Sequence, residues 1–252
     1  MDKQYYKDYY HFEREHWWYT ARKDLLQFLI QKKINTAQPL KILNVGTATG
    51  ATSIMLQSFG EVTSVEYDED CVAFVNSVTN LNVQQGDITQ LKFNNDSFDL
   101  VCAFDVVEHV QQDKKAVDEL MRVCKLNGHV FITTPAFMFL WSEHDVINHH
   151  VKRYTKNELA SLFASHHPTF VLKTYFNSIL FLPIAVVRIL MWPFQKIRKK
   201  DAPVQSDFSR FNTGFINKLL FKIFNSEKYL LQNVSLPFGV SIAIMVKKQS
   251  TT

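Results

Sequence analysis

Cysteine is scarce in this 252-residue chain: Cys71, Cys102 and Cys124 are unevenly spaced and form no C-x-x-C. A disulfide framework is therefore not expected, and the three read as buried thiols in a reducing cytosol. The formal charge is only +4 and is not gathered into one basic tract, so nucleic acid is not expected as a partner. The opening stretch MDKQYYKDYYHFEREHWW is charged and aromatic. It lacks the apolar core of a secretory signal, and none is expected. The longest apolar run, Ile179 to Phe194, is broken by Pro183, Arg188 and Pro193, and is too short and interrupted to read as a membrane-spanning helix. Glycine and proline are also few, at seven each, against 46% hydrophobic residues. That suffices for the core of one generous α/β domain with little disorder. Phenylalanine, with 21 copies, is in surplus, and such aromatics also line apolar substrate sites and membrane interfaces.

The chain is organised around KILNVGTATG, 41–50. An apolar run, a turn of small residues and a helix-compatible stretch read as strand, tight turn and helix, where the backbone bends sharply and leaves free N–H groups for a ligand. Positions 46, 48 and 51 also satisfy a loose G-x-A-x-x-A, so a dinucleotide fold and an ordinary strand-to-helix turn both stay open here. EVTSVEY at 61–67 reads as a second strand ending in Glu66, an acid placed to accept from both hydroxyls of a ribose. Asn82 to Gln84 is a short third strand, followed by Asp87, which can accept from an adenine amino group, and Ile88, which can cover the ring. SFDLVCAF at 97–104 is a continuous apolar strand of the kind buried within a parallel sheet. The next helix carries Val117, Leu120, Met121 and Cys124 at helical spacing and stops at Asn127-Gly128, before a fifth strand, His129 to Thr133. Residues 11–33 read as one N-terminal helix. Its Trp17-Trp18-Tyr19 cluster is either a packing anchor or a lid over a ligand, with Arg22 pairing to a ligand carboxylate. Alternating strands and helices predict a doubly wound sheet with its ligand at the carboxyl ends of the strands.

NVGTATG, Glu66, GDI at 86–88, SFDLVCAFDVVEHV and LNGHVFITTPA together resemble a class I S-adenosylmethionine-dependent methyltransferase, over roughly Lys41 to Pro135. HFEREHWWYTARKDLL, HHVKRYTKNEL and LPFGVSIAIMVKK further resemble a bacterial branch met among glycan and lipid-linked pathways. The resemblance implies a mostly parallel seven-stranded Rossmann-like sheet with its last strand antiparallel. Phe170 to Tyr175 and Val240 to Val246 fit the sixth and seventh strands. The implied organisation is a helical lid over 1–40, a core over 41–176, a helical insert over 177–233, and the last strand and tail over 234–252. It further implies S-adenosylmethionine as cofactor, held by Arg22, Asn44, Gly46, Thr47, Ala48, Gly50, Glu66, Tyr67, Asp87, Ile88, Phe104 and Asp105. Asn44 stands where the family usually has an acid, and Ala48 where it has a glycine.

For the chemistry, Asp105, Glu108, His109, His144, Asp145, His149, His150 and Tyr154 are the groups that could take a proton from an acceptor hydroxyl. Among them His109, His144 and His149 are the expected catalytic residues. Asp105-x-x-Glu108-His109, with His150, resembles the metal site of quinone and small-RNA O-methyltransferases, and would suit Mg²⁺ or Mn²⁺. Thr155 and Glu158 read as a capping box. Ile179 to Trp192 followed by Lys196, Arg198, Lys199 and Lys200 combines an apolar segment with a basic flank. That combination reads as an interfacial membrane helix, a lid or a dimer face. The expected reaction is methyl transfer to a small-molecule, glycan or lipid-linked acceptor at oxygen, in the cytoplasm or at the inner face of the membrane. The alternatives are a metal-assisted quinone or RNA O-methyltransferase and a non-catalytic protein of the same fold.

Overall fold

A computed structural model describes residues 3–34, 36–195 and 214–249. Among them seven strands form one sheet: β1 (Leu40–Val45), β2 (Gly60–Glu66), β3 (Val83–Gln85), β4 (Phe98–Phe104), β5 (Cys124–Pro135), β6 (Thr169–Phe176) and β7 (Ser241–Lys247). The spatial order is β3-β2-β1-β4-β5-β7-β6. The first five strands are mutually parallel, and β7 runs antiparallel to both β5 and β6.

Successive side chains of a strand point to opposite faces, and this sheet uses both. Leu43, Val101, Ala103, Val130, Ile132, Ile242 and Ile244 face one core, completed by α5 (Asp113–Val123) and α7 (Lys156–Ser161) through Val117, Leu120, Met121 and Leu159. Ile42, Leu100, Cys102, Phe131, Ala243 and Met245 face the other core, closed by α2 (Trp17–Lys33) and α9 (Gly214–Ser226) through Leu25, Leu26, Leu29, Ile30 and Phe224. With both faces covered, these strands read as continuous apolar runs.

The structure corrects two boundaries. The N-terminal helix is two helices, α1 (Lys3–Glu15) and α2. At His16 the backbone turns extended, and its ring accepts the Trp18 N–H at 3.3 Å, which turns α1 back towards the glycine turn. Likewise α5 ends at Val123 and β5 begins at Cys124. Cys124 is buried in the sheet, so its helical spacing from Val117 did not distinguish the two states.

Three helices lie between β6 and β7 among the described residues: α8 (Phe181–Gln195), α9 and α10 (Lys228–Leu231). Two polar residues attach them. The Asn217 side chain accepts the Trp17 N–H at 2.7 Å and donates to the Glu15 carbonyl at 2.9 Å, joining α9 to the α1–α2 corner. The buried Glu227 carboxylate accepts from Ser178 N–H at 2.6 Å and Ile179 N–H at 3.1 Å, fixing the approach to α8. No helix of the described residues is long and apolar enough to cross a membrane. The Trp192 side chain and Lys196, Arg198, Lys199 and Lys200 lie outside the described residues.

Candidate active site

At the carboxyl ends of β1, β2 and β4 a cavity of about 1270 Å³ opens. Pockets for one small molecule run to roughly 300 to 1,000 Å³, so this one has room for a cofactor and an acceptor together. Its floor is the turn after β1. Gly46 has φ +74°, and a Cβ there would lie 2.2 Å from the Val106 side chain. Only glycine lets the chain pass so close. The Glu66 carboxylate accepts from Ala48 N–H at 2.8 Å, Tyr67 N–H at 2.8 Å and Asp68 N–H at 3.3 Å. It thereby ties the turn to the end of β2. Burial pushes this carboxyl up, against the three N–H groups.

Gly46, Ala48, Glu66, Tyr67, Asp87, Ile88, Phe104, Asp105 and Arg22 all line the cavity. Asn44, Thr47 and Gly50 do not. Asn44 is turned beneath the turn, where its amide donates to Ser53 Oγ at 2.8 Å and Thr52 Oγ1 at 3.2 Å and holds α3 (Ala51–Leu56) to β1. Thr47 is buried, with its hydroxyl on the Val65 carbonyl at 3.2 Å. Gly50, left-handed at φ +92°, faces Leu81 and Val75.

Arg22 meets a protein acid: its Nη2 lies 2.7 Å from Asp105 Oδ2, with Thr133 bridging the pair from below. Asp105, one of the four expected metal ligands, is thus engaged by Arg22 and is not in the converging group. The cluster that does converge is Glu108, His109 and His150, with ligating atoms within 4.8 Å of one another. Glu108 is wholly buried and both its carboxylate oxygens lack a hydrogen-bond partner. Burial, then the Asp105 charge, push its pKa well above the ordinary range.

The remaining histidines divide. His109 and His144 line the cavity and are pushed down to about 4 and about 3, chiefly by burial, so both are neutral at physiological pH. His144 contacts the Asn148 amide at 3.1 Å. His149 also lines the cavity, in a left-handed conformation at φ +56°. Two other candidate bases are already engaged. Asp145 is saturated by Arg153, His150 and Ser142. Tyr154 donates to Asp113 at 2.9 Å, and burial together with the Asp113 charge raises its pKa. Thr155 and Glu158 form the capping box of α7.

Several lining groups lie in segments the sequence marked only as a whole: HFEREHWWYTARKDLL, and 179–192 with its lid reading. Glu13 comes from α1, while Leu180, Pro183, Ile184 and Val187 come from α8 and the residue before it. The individual residues were not singled out, because they meet the turn only through the tertiary fold.

Residues 43–132 match the model of a family described as a methyltransferase domain. These residues thus form a methyltransferase domain, and the chain is similar to S-adenosylmethionine-dependent methyltransferases. A probable S-adenosylmethionine-dependent methyltransferase of Mycobacterium tuberculosis is 29% identical over 59% of this chain and 54% of its own length. The chain thus spans about half the length of that curated relative. Among solved structures, the YcgJ protein of Bacillus subtilis aligns with a TM-score of 0.55 at 19% identity, over 89% of this chain and 99% of that one. A SAM-dependent methyltransferase of Archaeoglobus fulgidus aligns with a TM-score of 0.55 at 15% identity, over 90% and 94%. At such identities the structures show a shared fold alone. S-adenosylmethionine is the methyltransferase domain's cofactor. The Gly46 cradle and the strand-end acid Glu66 fit its nucleoside.

Proposed function

We propose that the protein transfers a methyl group from S-adenosylmethionine to an oxygen of an amphiphilic acceptor with a long apolar portion, presented at a lipid surface. The observation that carries this reading is the continuity of α8. It lines the cavity with Pro183, Ile184 and Val187, while Leu182, Val186, Ile189 and Leu190 of the same helix are more than half exposed. In sequence, Lys196, Arg198, Lys199 and Lys200 follow the helix directly. Basic residues in such a flank favour an anionic leaflet.

Bound in the cavity, the cofactor supplies a methyl already activated by a sulfonium charge. The chain's task is to align the acceptor and exclude water, worth up to about 7 to 11 kcal/mol when orientation is good. Trp17, Trp18 and α8 line the cavity with apolar surface. The neutral rings of His109 and His144 can accept a hydrogen bond from an acceptor hydroxyl and hold its lone pair towards the reacting carbon. With methyl-labelled cofactor and a membrane extract, label is expected in organic-soluble material. Val186→Glu with Leu190→Glu should cut that transfer about tenfold or more, since each buried aliphatic side chain contributes about 1.5 to 3 kcal/mol. Affinity for S-adenosylhomocysteine should not change. Label confined to water-soluble product, equal in both proteins, overturns the apolar-acceptor reading.

A second reading rests on the unpartnered carboxylate of Glu108. Glu108, His109 and His150 would hold a divalent cation such as Mn²⁺ or Mg²⁺, which would supply Lewis acidity towards an acceptor hydroxyl. His150 Nδ1 is engaged by Asp145 at 2.8 Å, which leaves Nε2 for a metal, a carboxylate-to-histidine arrangement common behind ligating imidazoles. Mn²⁺ is expected to raise the unfolding temperature of the wild type but not of Glu108→Gln. An equal response in both proteins removes the metal.

A further inference from the structure

We infer that Glu13, from the first helix, is the carboxylate that receives the ammonium of the cofactor's amino-acid end, in place of the acid that Asn44 fails to supply. The inference rests on the cofactor reading above and extends it to a residue outside the matched 43–132.

Glu13 is 5% exposed and lines the cavity beside Gly46, Ala48 and Thr49. Thr49 Oγ1 donates to Glu13 Oε2, and Arg14 Nη2 of the same helix donates to the Thr49 carbonyl at 3.1 Å. Together these bonds hold α1 against the glycine turn. Burial pushes the Glu13 carboxyl up, and Thr49, Arg14 and Arg22 only partly offset this. A desolvated acid of this kind is stabilised by the arrival of a cation. Asn44 cannot serve, since it is wholly buried beneath the turn and does not line the cavity. Arg22, which lines the same cavity, is also 5% exposed, and its Nε has no hydrogen-bond partner while Nη2 holds Asp105. One buried carboxylate and one buried, unfilled guanidinium N–H in the same cavity match a zwitterion: ammonium to Glu13, carboxylate to Arg22. Capping of α3 is the competing role, because the Ala51 N–H is directed at Glu13. A cap would act on every ligand alike.

The distinguishing pair is S-adenosylhomocysteine, which carries the amino-acid end, and 5′-methylthioadenosine, which lacks it. By calorimetry, Glu13→Gln should bind the first about ten- to hundredfold more weakly than the wild type, the loss of one charge-assisted hydrogen bond. It should bind the second equally well, and that equal binding also shows that the variant is folded. Glu66→Ala should weaken both. Equal loss of both ligands in Glu13→Gln, or no loss of either, overturns the role given to Glu13. Failure of the wild type to bind either ligand overturns the cofactor reading itself.

Discussion

Replacing Asp145 by alanine is expected to destabilise the fold by about 3 to 5 kcal/mol, the usual cost of leaving a buried partner charge uncompensated. Asp145, in α6 (Glu143–Ile147), has no exposed surface, and Arg153 grips it through Nε at 2.7 Å and Nη2 at 2.9 Å. His150 adds a bond at 2.8 Å and the Ser142 N–H another at 2.7 Å. Without the carboxylate, the buried Arg153 keeps only its bond to the Ala136 carbonyl at 3.1 Å among these partners. The loop that carries His144, His149 and His150 would then lose its anchor. Burial by itself would raise the Asp145 pKa, but the bonds from His150 and Arg153 and the Arg153 charge outweigh it and hold the carboxyl well below the usual aspartate range. The sign follows from linkage. The group contributes its full stability above the unfolded value of about 3.9 and loses it as the pH falls below that towards the lower folded value. Urea unfolding should therefore show an acid-side loss of stability in the wild type that is smaller in Asp145→Ala. Equal midpoints for the two proteins at neutral pH would show that the cluster does not support the fold.

Glu66→Ala is expected to weaken S-adenosylhomocysteine binding by about 1.5 to 3 kcal/mol, from loss of a charge-assisted hydrogen bond to the ribose. It is also expected to lower the unfolding temperature. Both effects have one origin. The carboxylate already accepts three backbone N–H groups, from Ala48, Tyr67 and Asp68, and a carboxylate has about four lone-pair sites in all. It can clamp the turn and still take a ribose hydroxyl. Calorimetry with the variant measures the first effect and thermal unfolding the second. Unchanged affinity in a destabilised variant would make Glu66 a clamp only and remove it from the cofactor site.

Strand identity was legible because it is local. SFDLVCAF became β4, and EVTSVEY became β2 with Glu66 at its end, since an apolar run long enough for a strand carries its own period. The α5–β5 boundary was illegible because Cys124 is buried in either state. The break at His16 depends on a ring nitrogen bonding the Trp18 backbone, and composition does not signal that.

The site divides along the same line. Gly46, Glu66, Asp87 and Asp105 stand at strand ends, and a doubly wound sheet brings all strand ends to one edge, so their position followed from order alone. What each side chain touches did not. Arg22 took Asp105 instead of being left wholly to a ligand, and Asn44 turned beneath the turn. Glu13, Asp145 with Arg153, and the α8 lining met their partners across separations that no motif spans. The sequence by itself determined the sheet and its ligand edge, because those follow from periodicity, while its ordered motifs within about a hundred residues carried the resemblance that implied the cofactor. Only the tertiary structure decided which charges neutralise one another and which stay unpaired over the cavity, because ion pairing and desolvation depend on distance and burial in space.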